Sequence, residues 1–393
     1  MTALPTAKPE DVGLNPAALA RLSAALKDRV ASGHVPGAVA LIARHGKIAY
    51  HEAFGVQSPA DGAPMTTNSI FRIYSMTKPI VSVAVMMLWE EGRVLLSDPI
   101  SKYIPAFAET MVGVFSGDML ARTDIDRPIT VQDLLRHTSG LTYEFRGTTP
   151  IHKAYIDAKV SRLRQTNEDQ ANTLASLPLL HQPGTHWEYS RSIDVLGRLV
   201  EVISGQTLGA FLTDRILTPL GMTDTAFTVP EKDHGRVAEP FAKDPEGGAD
   251  VALLDVKRTA LFESGGGGLV GTSMDYARFC TMLLNNGHLN GTRLLGRKTI
   301  ELMTSDHLGD IPSNPDLLPP GHGFGLGFAV RTAAGMAPFP GSVGNYYWSG
   351  AAGTSFWVDP AERLYGVLMI QAPVQREHYR LLFRDLVYAA VTD

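Results

Sequence analysis

The sequence predicts an α/β protein of the α+β type. An antiparallel sheet is built from both ends of the chain, with flanking helices and a mostly helical insertion between them. Short apolar and β-branched runs, typical of strands, occur near both ends of the 393-residue chain. A helical hydrophobic period precedes the first pair of runs and follows the last pair. Helices that flank a sheet in this way are typical of a layered architecture.

The N-terminal part predicts one helix followed by one hairpin. Residues 16–31 carry leucines at helical spacing, and the pattern ends before Gly33. Residues 37–44 and 47–54 are apolar or β-branched runs on either side of His45-Gly46. Two runs separated by so short a turn are typical of a β-hairpin.

The C-terminal part mirrors this arrangement. Residues 354–358 and 364–370 flank the turn-forming sequence Asp359-Pro360-Ala361-Glu362 and predict a second hairpin. Residues 376–390 return to a helical period, and residues 325–331 are a further candidate strand. The strands at the two ends of the chain are therefore expected to form one sheet.

The middle of the chain, residues 100–263, has a mostly helical pattern. Thr130 and Asp133 have the spacing of a capping box, and residues 192–203 and 207–216 are helical by period. We predict a discontinuous α/β domain from residues 1–99 and 264–393, and a helical domain from residues 100–263. A functional site is expected in the cleft between the two.

Composition excludes several classes of protein. The formal charge is −5, from 35 basic and 40 acidic residues, so no nucleic-acid partner is expected. The single cysteine, Cys280, cannot form an internal disulfide or a thiolate metal site. Residues 1–14 lack the apolar region of a signal peptide, and the longest apolar stretch, residues 80–89, is about half a membrane span. We expect a cytoplasmic protein, although an export signal already removed would leave the same sequence; oligomeric state is not indicated.

Motifs for several chemistries are absent from the sequence. There is no G-x-S-x-G nucleophile elbow, no H-E-x-x-H zinc motif and no phosphate-binding loop. No metal or organic cofactor is expected. The run Gly265–Gly268 is interpreted as a flexible approach to a helix over residues 276–284.

One motif does indicate chemistry. Ser75-Met76-Thr77-Lys78 is the only S-x-x-K in the chain, and it stands where a loop meets an apolar helix. Residues three apart share a helix face, so the Lys78 amine can lie beside the Ser75 hydroxyl. A serine needs such a partner to act as a nucleophile. The apolar helix is expected to lower the pKa of Lys78 by desolvation. The alternative is a helix-capping serine and a surface lysine.

Four segments together resemble one protein group. Residues 71–78, F-R-I-Y-S-M-T-K, are similar to the first active-site box of class C β-lactamases and penicillin-binding proteins. Residues 130–141 resemble a recurrent structural segment of that group. Tyr189-Ser190-Arg191 resembles its Y-x-N box, and Trp348-Ser349-Gly350 occupies the place of its K-T-G box. The resemblance covers most of the chain and implies a β-lactamase-like fold.

Two departures from the boxes of this group indicate which of its branches the sequence resembles. Trp348 replaces the lysine that binds a substrate carboxylate, and Arg191 replaces the asparagine that recognises a lactam side chain. A W-x-G box is similar to that of the family VIII carboxylesterases. The resemblance therefore implies a serine carboxylesterase for uncharged, short-chain acyl esters, with β-lactams as weak second substrates. The alternatives are a β-lactamase or D-amino peptidase, an acyltransferase, and a penicillin-binding protein with slow deacylation.

The resemblance also implies roles for individual residues. Ser75 is the nucleophile, and Lys78 and Tyr189 share the general-base work, with the order of proton transfer left open. The backbone N–H groups of Ser75 and Ala351 form the oxyanion hole. The residues assigned to substrate binding are Trp348, Gly350, Arg191 and Tyr143.

Three of these assignments have plainer alternatives. Tyr189 could be a buried tyrosine satisfied by the backbone, Trp348 could serve packing alone, and Arg191 could only solvate the start of a helix. His137 is interpreted as fixing a loop after a helix, because the lysine already fills the role of the base.

Overall fold

The centre of the protein is an eight-stranded antiparallel sheet. The computed structural model describes residues 3–117 and 119–393. Its strands, numbered along the chain, are β1 Gly37–Arg44, β2 Lys47–Ser58, β3 Ala63–Pro64, β4 Phe71–Arg72, β5 Val112–Ser116, β6 Met119–Thr123, β7 Val270–Gly271, β8 His288–Leu289, β9 Thr292–Arg293, β10 His322–Phe324, β11 Ala329–Arg331, β12 Tyr346–Ser349, β13 Ser355–Asp359 and β14 Leu364–Ile370. The large sheet has the order β10-β11-β12-β13-β14-β1-β2-β3. Ala38 of β1 faces Ile370 of β14, so the two chain ends meet in one sheet and the predicted fold class is confirmed.

Helices cover both faces of this sheet. They are α1 Pro16–Ala31, α2 Thr77–Glu90, α3 Val131–Leu135, α4 Pro150–Asp157, α5 Asn167–Ser176, α6 Ser192–Ser204, α7 Leu208–Leu212, α8 Thr218–Leu220, α9 Ser273–Leu284, α10 Arg297–Met303 and α11 Arg376–Tyr388. Short 3₁₀ segments are Pro9–Val12, Tyr74–Met76, Ile100–Lys102, Pro105–Glu109 and Glu231–Arg236, and Thr213–Leu217 is a π-helical turn between α7 and α8.

Every residue of β1 is buried, because both faces of the strand are covered. Ala38, Ala40 and Ile42 belong to one apolar cluster, which α1 and α11 complete. The alternate residues Val39 and Leu41 belong to the larger cluster that contains α2 and α9. Helix α2, which follows Ser75, is therefore enclosed in the core.

The two predicted hairpins are confirmed. His45 and Gly46 have φ angles of 52° and 76° between β1 and β2, as a tight hairpin with a primed turn requires. Strand β2 continues to Ser58, beyond the predicted end at residue 54. Strands β13 and β14 form the C-terminal hairpin.

The predicted strand over residues 325–331 is wrong in its first half. Only Ala329–Arg331 is a strand, because the chain turns back and the amide of Gly325 donates to the carbonyl of Phe328 at 2.8 Å. Gly327 has a φ of 98°, and a Cβ there would overlap the Ser82 hydroxyl. This turn needs glycine.

The middle of the chain is less helical than the sequence predicts. Its helices α3 to α8 include the predicted capping box, with Thr130 accepting from the amide of Asp133 at 3.1 Å. The segment also contains the hairpin β5–β6. After residue 221, its described residues up to residue 263 form a 3₁₀ segment, isolated β-bridges and irregular chain.

Among residues 3–117 and 119–393, no single helix is long and apolar enough to cross a bilayer. Ser192–Ser204 and Leu208–Leu220 meet that criterion only as a pair, and the pair is bent by 79°.

Candidate active site

Ser75 lies in a strained turn at the start of α2. The 3₁₀ segment Tyr74–Met76 leads into the helix, and Tyr74 has a φ of 43°, which is uncommon for a residue other than glycine. The Tyr74 hydroxyl accepts a hydrogen bond from the Leu254 amide at 2.9 Å, which holds the turn. Strand β4 before this turn pairs with β7, so the glycine run that precedes β7 lies beside Ser75. The turn directs the half-buried Ser75 toward a large cavity.

Lys78 uses all three donors of its ammonium group. Its Nζ donates to the Ser75 hydroxyl at 3.2 Å, to the Tyr143 hydroxyl at 3.0 Å and to the Gly266 carbonyl at 2.5 Å. The residue is only 1% exposed, so the alternative of a surface lysine is wrong. A buried cation with three acceptors is satisfied in its charged form.

The pKa of Lys78 is raised, whereas the sequence analysis predicts that it is lowered. Burial lowers this pKa, but electrostatic interaction and hydrogen bonding with Tyr143 and Tyr189 act in the opposite sense and leave it above the ordinary lysine value. Burial in turn raises the pKa of Tyr143 to about 12, against the influence of Lys78. The expectation of a lowered pKa for Lys78 is wrong because it considered desolvation without the tyrosines. A proton can therefore be shared between the lysine and its tyrosine neighbours.

Tyr143, predicted to bind substrate, is a direct hydrogen-bond partner of Lys78. Its hydroxyl bonds Lys78, and the Arg191 guanidinium lies 4.7 Å from the centre of its ring. Arg191 is 7% exposed and forms ion pairs with Glu144 at 2.5 Å and Asp194 at 3.4 Å. Of the two interpretations of Arg191, the structure therefore favours the one in which it shapes the site.

Tyr189 contacts Lys78 through its ring. The Lys78 Nζ lies 4.6 Å from the centre of that ring, while the Tyr189 hydroxyl accepts from the Trp348 indole N–H at 3.1 Å. Trp348 is 5% exposed, lines the cavity and packs edge-on against Phe324. The pocket and packing roles considered for Trp348 are thus both present.

The glycine run is part of the site, contrary to its interpretation as a flexible approach. The Gly266 carbonyl accepts from Lys78, and its amide donates to Asp194 at 2.8 Å. A Cβ on Gly266 would lie 2.7 Å from an Asp194 oxygen, and one on Gly265 would lie 2.6 Å from the Ile193 carbonyl. Four consecutive glycines in the sequence indicate a close approach to another chain segment, but they do not indicate which segment.

The predicted oxyanion-hole residues, Ser75 and Ala351, both line the cavity. Gly350, assigned to substrate binding, lines it as well. A Cβ on Gly350 would lie 2.5 Å from the Ile73 carbonyl, so this position beside the Ser75 turn needs glycine. Within the described part of the chain, no protein acceptor bonds the amide of Ser75 or that of Ala351. Both N–H groups are available to a bound oxygen.

The cavity has a volume of about 800 Å³. Six of its apolar lining residues are Phe145, Leu163, Phe227, Leu254, Leu261 and Leu317. Phe145, Leu163 and Leu261 are more than half exposed. Charged side chains, among them Arg164, Asp255 and Arg258, also line the cavity. A cavity of this size suits a small organic substrate.

His137 lies outside this hydrogen-bonded group. Its Nδ1 bonds the amide of Ser190 at 3.3 Å, and its carbonyl accepts from Glu188 at 2.9 Å. Burial lowers the pKa of His137 well below its ordinary value, so the ring is neutral. The geometry agrees with the prediction that His137 fixes a loop.

The fold and this group of side chains define a serine hydrolase. A family model described as Beta-lactamase matches residues 22–389, and the chain belongs to the β-lactamase family.

Several relatives are similar over almost the whole chain. A Mycobacterium tuberculosis protein named as uncharacterized is 36% identical over 358 residues, which is 88% of each chain. Esterase EstB of Burkholderia gladioli is 32% identical, covering 97% of this chain and 98% of that protein. The solved structure of EstCE1, described as a hydrolase with promiscuous acyltransferase activity, has a TM-score of 0.78 at 28% identity. It covers 94% of this chain and 98% of its own.

Proposed function

We propose that this protein is a carboxylesterase that hydrolyses short-chain acyl esters through an acyl-enzyme on Ser75. The observation that carries the proposal is the contact of Ser75 with the buried Lys78, whose ammonium also bonds Tyr143 at the floor of a largely apolar cavity. A serine beside a buried amine has the arrangement required for covalent acyl transfer.

The reaction begins when the Ser75 oxygen attacks the ester carbonyl carbon. One proton first leaves the group formed by Lys78 and the tyrosines and passes to solvent. The Ser75 hydroxyl proton then passes to this group. The tetrahedral oxyanion accepts hydrogen bonds from the amides of Ser75 and Ala351. Collapse of the intermediate breaks the bond to the alcohol oxygen, which takes the proton from the same group. Water then attacks the acyl carbon and gives its proton to the same group. The bond to the Ser75 oxygen breaks, that oxygen takes the proton back, and the acid is released.

The substrate preference follows from Trp348 and the cavity walls. An indole in place of the K-T-G lysine cannot bind a substrate carboxylate as that lysine does, which favours neutral esters. The aromatic and aliphatic lining supplies apolar surface for a short acyl chain and an alcohol. Relatives named as esterases, among them EstB, support this substrate class.

Acyl transfer to an alcohol other than water is a second candidate. A cavity of about 800 Å³ has room for an alcohol beside a short acyl group on Ser75. The acyltransferase activity ascribed to EstCE1 supports the same candidate. The two reactions use the same residues and differ in which hydroxyl reaches the acyl-enzyme.

The decisive experiment compares turnover of p-nitrophenyl butyrate and of a chromogenic cephalosporin. We expect fast ester cleavage and slow lactam opening, both reduced roughly a thousandfold or more in Ser75→Ala. The matched control is Ser82→Ala, on the helix that follows Ser75, because the Ser82 hydroxyl has no hydrogen-bond partner among the described residues. Faster lactam opening than ester cleavage would contradict the proposal.

The same assay separates the remaining alternatives. Covalent labelling of Ser75 without turnover would identify a penicillin-binding protein with slow deacylation. A butyrate ester formed in the presence of an added alcohol, at the expense of free acid, would identify an acyltransferase.

A further inference from the structure

Arg380 contacts the peptide group that carries the proposed oxyanion donor. This arginine lies on α11, and its guanidinium donates to the Gly350 carbonyl. That carbonyl and the amide N–H of Ala351 belong to one planar peptide group and point in opposite directions. The Ala351 N–H therefore faces away from the arginine, and the orientation of the peptide plane fixes where it points.

The Arg380 side chain is held in this place by its surroundings. It is 16% exposed, and it forms an ion pair with Glu377, whose own side chain is 67% exposed. Its Nε is buried and has no acceptor among the described residues. The guanidinium is thus held on one side by the Gly350 carbonyl and on its outer side by Glu377.

A cation bonded to an amide oxygen affects the N–H of that amide in two ways. A charge-assisted hydrogen bond is roughly twice as strong as a neutral one, so it restricts rotation of the peptide plane. It also polarises the amide, which makes the N–H a stronger donor at the other end. Both effects favour a transition state in which charge develops on the substrate oxygen.

We propose that Arg380 is a positioning residue for the oxyanion hole, acting through the Gly350–Ala351 peptide group. The inference rests on the proposed function, since it requires acyl transfer at Ser75. Burial lowers the pKa of Arg380 to about 10, which still leaves it cationic at neutral pH. The same charge interacts with Tyr189 across the site.

The chain contains a matched control for this inference. Arg376 lies one turn earlier on the same helix, and its guanidinium donates to the next carbonyl, that of Ala351, at 3.3 Å. That carbonyl belongs to the following peptide group, whose N–H is the amide of Ala352. Loss of Arg376 removes a similar charge and a similar contact without releasing the Gly350–Ala351 peptide group.

The test compares Arg380→Met, Arg380→Lys and Arg376→Met with the wild type on p-nitrophenyl butyrate. We expect Arg380→Met to lower kcat about 10- to 100-fold with KM changed less than about threefold, because the contact acts on the transition state. Arg380→Lys should recover part of the loss, and Arg376→Met should stay within about threefold of the wild type. Equal losses in Arg380→Met and Arg376→Met, or a change confined to KM, would overturn the inference.

A second measurement keeps this test independent of the ester assay. Phosphonylation of Ser75 by a p-nitrophenyl alkylphosphonate also develops charge on an oxygen in the oxyanion hole. Its rate should fall in Arg380→Met and hold in Arg376→Met even if the protein does not hydrolyse butyrate esters. Melting temperatures of all variants detect a purely structural effect. Loss of stability in Arg380→Met without loss of the phosphonylation rate would overturn the inference.

Discussion

The Nζ of Lys78 lies 3.0 Å from the phenolic oxygen of Tyr143. Tyr189, the residue that the family resemblance assigned as the partner of this lysine, presents its ring to the same nitrogen and receives the Trp348 N–H on its hydroxyl. Two tyrosines that are far apart in the sequence therefore both contact the buried amine of Lys78. The proposed general base is a group of three side chains.

The activity of the wild-type protein should increase toward alkaline pH. The resting Lys78 is an ammonium with a raised pKa, so the form able to accept the Ser75 proton is the minor one at neutral pH. Below that pKa, the active fraction rises about tenfold per pH unit. We expect log kcat/KM for p-nitrophenyl butyrate to rise from about pH 7 to about pH 9 without a plateau. A plateau below about pH 8 would contradict the raised pKa.

Tyr143→Phe should move this ascending limb to lower pH. The substitution removes the phenolic oxygen that raises the pKa of Lys78 and leaves burial, which lowers it. We also expect the maximal rate to fall about tenfold or more, since a proton-transfer partner is lost. The measurement is the pH profile of kcat/KM for each variant. Tyr379→Phe serves as the control, because that buried hydroxyl has no partner in the described part of the chain; an unmoved limb in Tyr143→Phe would contradict the prediction.

Gly266→Ala should impair catalysis more than stability. The added Cβ would lie 2.7 Å from the Asp194 carboxylate, so the loop must move and the carbonyl that holds Lys78 moves with it. We expect kcat to fall at least about tenfold, because small displacements of catalytic groups are costly. Steady-state kinetics and thermal melting measure the two effects. Gly235→Ala, where an added Cβ meets nothing within 4 Å, should change neither; full activity in Gly266→Ala would show that the loop does not position Lys78.

Arg191→Met should destabilise the protein by about 3 kcal/mol, as the loss of one partner of a buried ion pair does. The substitution leaves the carboxylates of Glu144 and Asp194 without their shared cation. Urea unfolding measures the change in the free energy of unfolding. Arg198→Met, on the same helix with more exposed partners, should cost about 1 kcal/mol or less. Similar losses in the two variants would mean that burial of the Arg191 pairs has little energetic effect.

The fold was predictable because its signals are local in the sequence. Strand runs at both ends, helical periods beside them and the turn at His45-Gly46 each need only neighbouring residues, and all three are confirmed. The error over residues 325–331 has a cause that is distant in the sequence. The turn at Gly327 interrupts an apolar run because Ser82, distant in sequence, leaves no room for a side chain. The proposed boundaries of the helical domain, residues 100–263, stay a prediction.

The candidate site was likewise only partly predictable from the sequence. The sequence by itself determined the nucleophile candidate and its lysine, since Ser75 and Lys78 lie one helical turn apart. Only the tertiary structure decided that Tyr143 bonds Lys78, that Gly266 supplies the third acceptor, and that the pKa of the lysine is raised. A hydrogen bond depends on the distance between atoms, and 65 and 188 residues of chain separate these partners from Lys78. Such contacts form only when the packed core brings distant segments together.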